Sequence, residues 1–212
     1  MNVPTPRDEY AVRFDVEPQD APRNRLTTAF RVFVAIPILV VLASVSGGSG
    51  IGSTGGSRGV AAAGGILFIP PLLMILFRQK YPRWWFDWNL ALLRFTNRVF
   101  AYLLLLRDEY PATDAEQAVH LDIDYPDVPR DLNRWLPLVK WFLAIPHFVV
   151  LFFLSIAAFF AVIAAWFAIL FTGRYPRGLF DYLVGVGRWE NRVVACAFLM
   201  LNDRYPPFRL SP

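Results

Sequence analysis

The sequence predicts an all-α integral membrane protein with four short transmembrane helices in two tandem repeats. Three observations lead to this fold class. The chain has 212 residues, of which 56% are hydrophobic, more than the roughly 45–50% of a soluble domain. The apolar residues form long runs with few charges, which is the pattern of membrane-spanning helices. Several short motifs also occur twice in the same order, which indicates an internal duplication.

The repeated motifs divide the chain into a first unit, residues 1–111, and a second unit, residues 112–212. The segment FVAIP at 33–37 recurs as FLAIP at 142–146, and Tyr-Pro-Arg at 81–83 recurs at 175–177. Residues that the motifs align are termed matched positions. They include Arg31 with Lys140, Asp87 with Asp181, Arg94 with Arg188, Asn97 with Asn191, Arg98 with Arg192, and Asp108 with Asp203.

Each unit begins with a segment in which apolar and polar residues alternate, Val12–Glu17 in the first and Val119–Asp124 in the second. A period of two is typical of a half-buried strand. Because an isolated strand is not stable in water, we expect the two short cytoplasmic strands to pair with each other or with a partner.

Two membrane spans are predicted in the first unit, Phe30–Ser46 and about Val60–Phe77, with a Gly-rich loop at residues 46–65 between them. The proline pair Pro70-Pro71 should kink the second of these spans. Arg31, the one charge of the first span, is expected to extend to the headgroups like its matched residue Lys140.

The second unit carries a nearly continuous apolar run, Leu136–Phe171, instead of two separated segments. As one helix it would be about 54 Å long, which exceeds the ~30 Å hydrocarbon core of a bilayer. Comparison with the first unit therefore predicts a transmembrane hairpin at residues 136–171, with a turn near Ser155–Ala158. A tilted or re-entrant pair of helices is the alternative.

An amphipathic helix is predicted to close each unit, at residues 84–106 and 178–201. In the first, Asp87, Arg94 and Arg98 are spaced by seven and four residues, which places them on one helical face. The other residues are mostly apolar, so each helix is expected to lie in the membrane interface. Of the 21 Lys and Arg residues, only Arg58 falls between the first two spans, and this places both termini in the cytoplasm.

The second unit resembles a family of bacterial membrane proteins called domain of unknown function 4389. The resemblance rests on FTGRYPRGLFD at 171–181, on Asn191-Arg192 and on DRYPPF at 203–208. The first unit departs from this pattern, since Arg78-Gln79-Lys80 stands where the second unit has Thr172-Gly173-Arg174. The resemblance implies a multi-pass protein of the bacterial inner (plasma) membrane, and it brings no established activity.

Arginine and aspartate side chains of the closing helices are the strongest chemical candidates. A guanidinium can bind a lipid phosphate with two hydrogen bonds, and an aspartate can instead pair with it. One interpretation is a structural ion-pair corner containing Asp87 and Asp181; the others are anionic lipid or phosphate binding, and catalysis. The candidate lipid- or phosphate-binding residues are Arg83, Arg94, Arg98, Arg177, Arg188 and Arg192.

His147 is the one polar candidate inside a predicted span, where an ionisable residue suggests a function. Its matched position is Ile38, and no second acid or base follows it in the spans, so packing is the simpler interpretation. The sequence predicts no metal site and no cofactor, and its net charge of +4 comes without a nucleic-acid-binding motif. Its one cysteine, Cys196, is interpreted as a packing residue.

These features favour a non-enzymatic membrane scaffold or accessory subunit over an enzyme. The expected partners are membrane lipids, anionic ones above all, and a cytoplasmic or membrane protein; an oligomer is compatible with the sequence. The alternatives are a small transporter or channel component and, less favoured, a lipid-handling enzyme that uses the arginine and aspartate residues.

Overall fold

A computed structural model describes residues 10–19, 21–45, 69–78, 80–113, 115–126, 132–133, 135–201 and 203–211. The elements follow in this order: β1 (Val12–Val16), α1 (Arg25–Ala29), α2 (Arg31–Val34), α3 (Ile36–Val45), α4 (Ile69–Arg78), α5 (Arg83–Leu103), β2 (Val119–Ile123), α6 (Leu136–Thr172) and α7 (Arg177–Ala197).

The two strands pair with each other in an antiparallel sheet, with Val12 opposite Ile123 and Val16 opposite Val119. In both strands the first, third and fifth residues are buried and the other two are exposed, as the alternating sequence requires. The buried face packs crosswise: β1, from the first unit, lies on α7, whereas β2, from the second unit, lies on α5. Each unit therefore supplies a strand to the other.

The helices α5 and α7 begin directly after the prolines of the two Tyr-Pro-Arg motifs, Pro82 and Pro176, which act as N-caps. They end three and four residues earlier than the sequence predicts, at Leu103 and Ala197. The backbone turns left-handed shortly after each end, at Leu105 with φ 63° and at Met200 with φ 55°. A left-handed residue at this place ends a helix, and here it is not glycine, so the sequence carried no stop signal.

The helix α6 runs without a break through Ser155–Ala158, so the predicted hairpin with a turn at that place is wrong. At 37 residues it is about 55 Å long. No Gly or Asn interrupts it, and the Ser155 hydroxyl donates to the Leu151 carbonyl within the helix at 2.7 Å. It ends at Gly173, whose φ of 73° is left-handed. The continuous helix packs mainly on α7 and on α1.

Within the described residues, Phe142–Thr172 is the one helix that is long and apolar enough to cross a membrane, and only 17% of its most apolar window is buried. Phe152, Phe153 and Phe160 are each more than 60% exposed. Arg31–Ser44 is a shorter apolar helix. The two spans of the first unit stay a prediction, because the Gly-rich loop and the start of the predicted second span lie outside the described residues. In the second unit, the continuous α6 stands in place of the two predicted spans. The kink at Pro70-Pro71 also stays a prediction.

Two buried clusters form the core. The larger one joins the sheet to α5 and α7, and it includes Phe14, Leu121, Phe86 and Phe180. The smaller one, here termed the first-unit cluster, lies between α3 and α5. It consists of Ala35, Ile38, Phe95, Val99 and Tyr102.

Candidate functional site

The matched arginines Arg94 and Arg188 each hold the strand of the opposite unit. Arg188 donates to the Phe14 carbonyl at 2.9 Å and pairs with Asp15 at 2.6 Å. Arg94 donates to the Leu121 carbonyl at 2.8 Å and pairs with Asp122 at 2.9 Å. In both cases one guanidinium binds a strand carbonyl and the carboxylate of the following residue. Both side chains therefore join helix to strand.

The matched arginines Arg98 and Arg192 bind backbone carbonyls of the segments that follow their helices. Arg98 donates to Ala112 at 2.9 Å. Arg192 is 4% exposed and donates to the carbonyls of Arg209 and Ser211 at 3.4 and 3.1 Å. Burial lowers the pKa of Arg192. These two side chains hold the segments that follow α5 and α7 against those helices.

Within the described residues, Asp87 does not pair with Arg94 or Arg98, which was one interpretation of the ion-pair corner. Asp87 is exposed, and both arginines bind the partners given above. Seven residues separate Asp87 from Arg94, which is about 10 Å along the helix axis and too far for a direct ion pair. Arg83 instead lies over the Tyr125 ring, 5.0 Å from its centroid. Asp181 is exposed and lines a cavity together with Arg177.

A buried corner that the sequence reading missed joins Arg23, Arg31 and Asp108, and is here termed the arginine corner. Arg31 is 2% exposed and Arg23 4% exposed, and both pair with the same carboxylate oxygen of Asp108. Arg31 also donates to the carbonyls of Tyr102 and Arg107, each at 3.0 Å. Its predicted extension to the headgroups is therefore wrong. Burial is the main cause that lowers the pKa of Arg23.

The arginine corner borders a cavity of about 120 Å³ at the end of α6. Arg23, Tyr175, Arg177 and Asp181 are among the residues that line it. The backbone N–H of Arg23 donates to the Gly173 carbonyl at 3.0 Å, which attaches the corner to the residue that ends α6. The Arg23 guanidinium lies over the Tyr175 ring at 5.2 Å. The corner thus lies where the apolar helix ends.

The second unit carries a matched ion pair beside a second cavity, here termed the histidine pocket. Lys140 lies 2.7 Å from Asp203, and the two side chains are 2% and 16% exposed. The cavity beside them has a volume of about 130 Å³. Its lining residues are Leu136, Lys140, Leu143, Ala144, His147, Val193, Cys196, Ala197, Asp203, Tyr205 and Pro206.

His147 is fully buried at the side of this pocket. Its Nδ1 accepts a hydrogen bond from the indole Nε1 of Trp189 at 3.0 Å. The imidazole stacks on Phe208 with 4.1 Å between ring centroids. No hydrogen-bond partner for its Nε2 is found in the described part of the chain. Burial raises the pKa of the neighbouring Cys196 thiol, which keeps that thiol protonated at neutral pH.

Two matched tyrosines also cross between the units. The Tyr81 hydroxyl donates to the Leu199 carbonyl at 3.1 Å, and the Tyr175 hydroxyl donates to the Leu104 carbonyl at 3.2 Å. Burial raises the pKa of both hydroxyls well above the ordinary value. As for metals, the described ranges hold no group of three or more His, Cys, Asp or Glu side chains that could bind one.

The part of the chain that contains α6, α7 and the histidine pocket is similar to a known family. Residues 135–209 match the family described as Domain of unknown function (DUF4389). This range lies within the second unit. The match supports the resemblance there, and it does not extend to the first unit, so the two tandem DUF4389 copies stay a prediction. No curated protein and no solved structure matches the chain.

Proposed function

We propose that the protein is an integral membrane scaffold that α6 anchors in the bilayer. The exposure of α6 carries this proposal. The core helix of a soluble protein would be mostly buried, whereas 17% of the apolar window in Phe142–Thr172 is buried. An apolar helix exposed on most sides is stable when lipid surrounds it. Its length of about 46 Å permits a tilted path across the bilayer.

The crossed contacts between the two units support a rigid body attached to this anchor. Strand β1 packs on α7 and β2 on α5, and Arg188 and Arg94 bind the opposite strands. We propose that the units are two tandem copies that exchange strands. A body of this kind holds its surface in one geometry, as a scaffold for a cytoplasmic or membrane protein partner requires.

The arginine corner supports contact with anionic lipid. Two buried guanidinium groups share the one carboxylate of Asp108. Around them, Arg177 lines the adjoining cavity, and the Arg25 guanidinium lies 3.7 Å from the position of a Cβ at Gly173. These cations surround the C-terminal end of α6, where the apolar helix would leave the bilayer and meet headgroup phosphates. Arginine at that end also complements the helix dipole.

Native mass spectrometry of the intact protein in detergent, with phosphatidylglycerol and phosphatidylcholine added in equal amounts, tests the lipid contact. We expect phosphatidylglycerol to be retained, and the double variant Arg25→Gln/Arg177→Gln to retain several-fold less of it. Arg13→Gln is the control variant, since Arg13 pairs with Asp124 on the exposed sheet. Equal retention of both lipids by all three proteins would overturn the lipid proposal.

Two further measurements test the anchor and its orientation. The protein should stay in membranes washed with urea, and release by that wash would contradict the anchor. In the proposed orientation the N-terminus is cytoplasmic, because Lys and Arg concentrate on that side of a membrane. The prediction that the C-terminus lies on the same side depended on the hairpin, since one crossing by α6 after two spans would separate the termini. A cysteine placed at Ser53 should then react with an impermeant reagent in intact cells. Reaction only after permeabilisation would reverse the orientation.

A further inference from the structure

The histidine pocket occupies the place that a solid apolar cluster fills in the first unit. The first-unit cluster consists of Ala35, Ile38, Phe95, Val99 and Tyr102, all buried. The motif alignment matches these positions with residues of the second unit. In the same order, they are Ala144, His147, Trp189, Val193 and Cys196.

Two of the differences replace an apolar contact by a polar pair. Where the first unit has Ile38 and Phe95, the second has His147 and Trp189, which hydrogen bond to each other. Because the Trp189 N–H donates to Nδ1, that nitrogen carries no proton, and in the neutral imidazole the proton lies on Nε2. His147 therefore presents a buried N–H donor at Nε2.

His147 lines the cavity, whereas Trp189 does not. Its Nε2 has no accessible surface in this structure, so an acceptor atom in the cavity reaches Nε2 when the neighbouring side chains shift slightly. Within the described residues Nε2 has no hydrogen-bond partner. A buried N–H of this kind is costly to leave unpaired, and an acceptor atom in the cavity would satisfy it.

The third difference between the units, Tyr102 in the first and Cys196 in the second, creates the space for the cavity. Tyr102 packs in the first-unit cluster and its ring lies under the Arg31 guanidinium, with 4.5 Å to the ring centroid. Cys196, at the matched position, is much smaller, and a cavity of about 130 Å³ lies beside it. An apolar cavity of roughly 150 Å³ accepts one benzene ring. Leu143, in the cavity wall, is 43% exposed on α6, which places the cavity next to the surface that lipid would cover.

We propose that the histidine pocket binds a neutral, membrane-soluble carbonyl compound, whose carbonyl oxygen accepts from His147 Nε2 and whose apolar part occupies the cavity. Lys140 adds a second donor at the cavity wall, and Asp203 is already paired with it, so the site favours an acceptor. Two sources share this chemistry, the ring of a quinone and the acyl carbonyl of a lipid. The proposal rests on the membrane location proposed above.

Nuclear magnetic resonance of the intact, detergent-solubilised protein with 15N-labelled histidine tests this site. The chain has two histidines, and the variant His120→Gln assigns the signal of His147 without touching the pocket. We expect duroquinone or methyl hexanoate to shift the Nε2 signal, and durene, which has the duroquinone skeleton without oxygen, to leave it in place. A shift with duroquinone alone assigns a quinone; a shift with the ester alone assigns an acyl carbonyl.

The decisive variant fills the cavity by giving Cys196 the tyrosine side chain that the first unit has at the matched position. Cys196→Tyr should weaken the effect of the active probe at least tenfold while the Trp189 hydrogen bond remains, and Cys196→Leu serves if the tyrosine variant does not fold. No shift with either carbonyl probe, an equal shift with durene, or full binding by the filled variants would overturn the proposal. The urea wash separates the two proposals: a protein that stays in membranes but shows no shift is a scaffold without this site.

Discussion

Asn97 and Asn191 donate a hydrogen bond to each other's side-chain oxygen, at 2.8 and 2.9 Å. Each amide nitrogen also donates to a carbonyl four residues earlier in its own helix, that of Leu93 or of Gly187. The pair joins α5 to α7 at matched positions, and both donor hydrogens of each amide have an acceptor. The two units are therefore joined directly by a reciprocal contact.

Replacing Asn191 by alanine should destabilise the protein by about 1–2 kcal/mol, because the half-buried Asn97 amide then loses a partner. The double variant Asn97→Ala/Asn191→Ala should cost less than the sum of the two single variants, as expected for residues in contact. Unfolding by heat in detergent micelles measures these free energies. Thr96→Ala is the control, since the Thr96 hydroxyl donates to the Leu92 carbonyl of its own helix. Strict additivity would contradict the coupling.

Substituting the arginines that bind the strands should lower the free energy of unfolding, and the loss should be larger for the more buried arginine. Arg188→Gln should cost about 1–2 kcal/mol, because its guanidinium binds both a carbonyl and a carboxylate and is only 18% exposed. Arg94→Gln should cost less, since Arg94 is 41% exposed. Arg13→Gln, in an exposed pair on the sheet, should cost about 0–1 kcal/mol. Equal losses for all three variants in the same unfolding assay would mean that the crossed strand contacts do not hold the units together.

Removing the carboxylate of Asp108 should destabilise the protein more than removing that of its matched residue, Asp203. Asp108→Asn leaves two buried guanidinium groups without their shared carboxylate, and such losses cost about 3–5 kcal/mol. Asp203→Asn leaves one ammonium, that of Lys140, and should cost less. Asp124→Asn, at a position 61% exposed, is the control. A ranking with Asp203→Asn as the most destabilising would argue against the shared pairing at Asp108.

Alkaline pH should destabilise the protein through Tyr81 and Tyr175. Burial raises the pKa of both hydroxyls in the folded protein, whereas in the unfolded chain they ionise near pH 10. The folded state therefore favours the neutral hydroxyls, so their contribution is complete below about pH 10 and is lost as the pH rises above it. Phenolate absorbance should show that Tyr81 and Tyr175, among the eight tyrosines, ionise only as the protein unfolds. Tyr81→Phe/Tyr175→Phe should reduce this late step by two tyrosines; an unchanged late step would assign it to other tyrosines.

Local patterns predicted the strands and the two amphipathic helices to within a few residues, because alternation and helical spacing depend on neighbours in sequence. The arginine corner could not be predicted in this way. Arg23 and Arg31 meet Asp108 across more than 75 residues, and position alone gave Arg31 the role of a headgroup contact. The motif alignment held the missed signal, since Arg31 with Asp108 and Lys140 with Asp203 are matched pairs of opposite charge.

The role of His147 shows a different limit. The sequence revealed that its matched position is Ile38, and this favoured packing. The contact with Trp189 gives that difference a chemical meaning, because the residue matched with Trp189 is Phe95 and both changes occur together. Two substitutions far apart in sequence can be interpreted jointly only when the fold brings them into contact.

The unbroken course of α6 can be measured directly. Spin labels at Val139 and Phe171, both exposed on α6, are 32 residues apart, so we expect a separation of about 48 Å at 1.5 Å per residue. In a hairpin that turns at Ser155–Ala158, the two labels would lie at the same end and within about 15 Å, the width of two packed helices. Labels at Phe159 and Phe171 should lie about 18 Å apart in either arrangement, which controls for labelling and for the detergent. A distance of about 15 Å between labels at Val139 and Phe171, with the distance between Phe159 and Phe171 unchanged, would support the hairpin and its two crossings of the membrane.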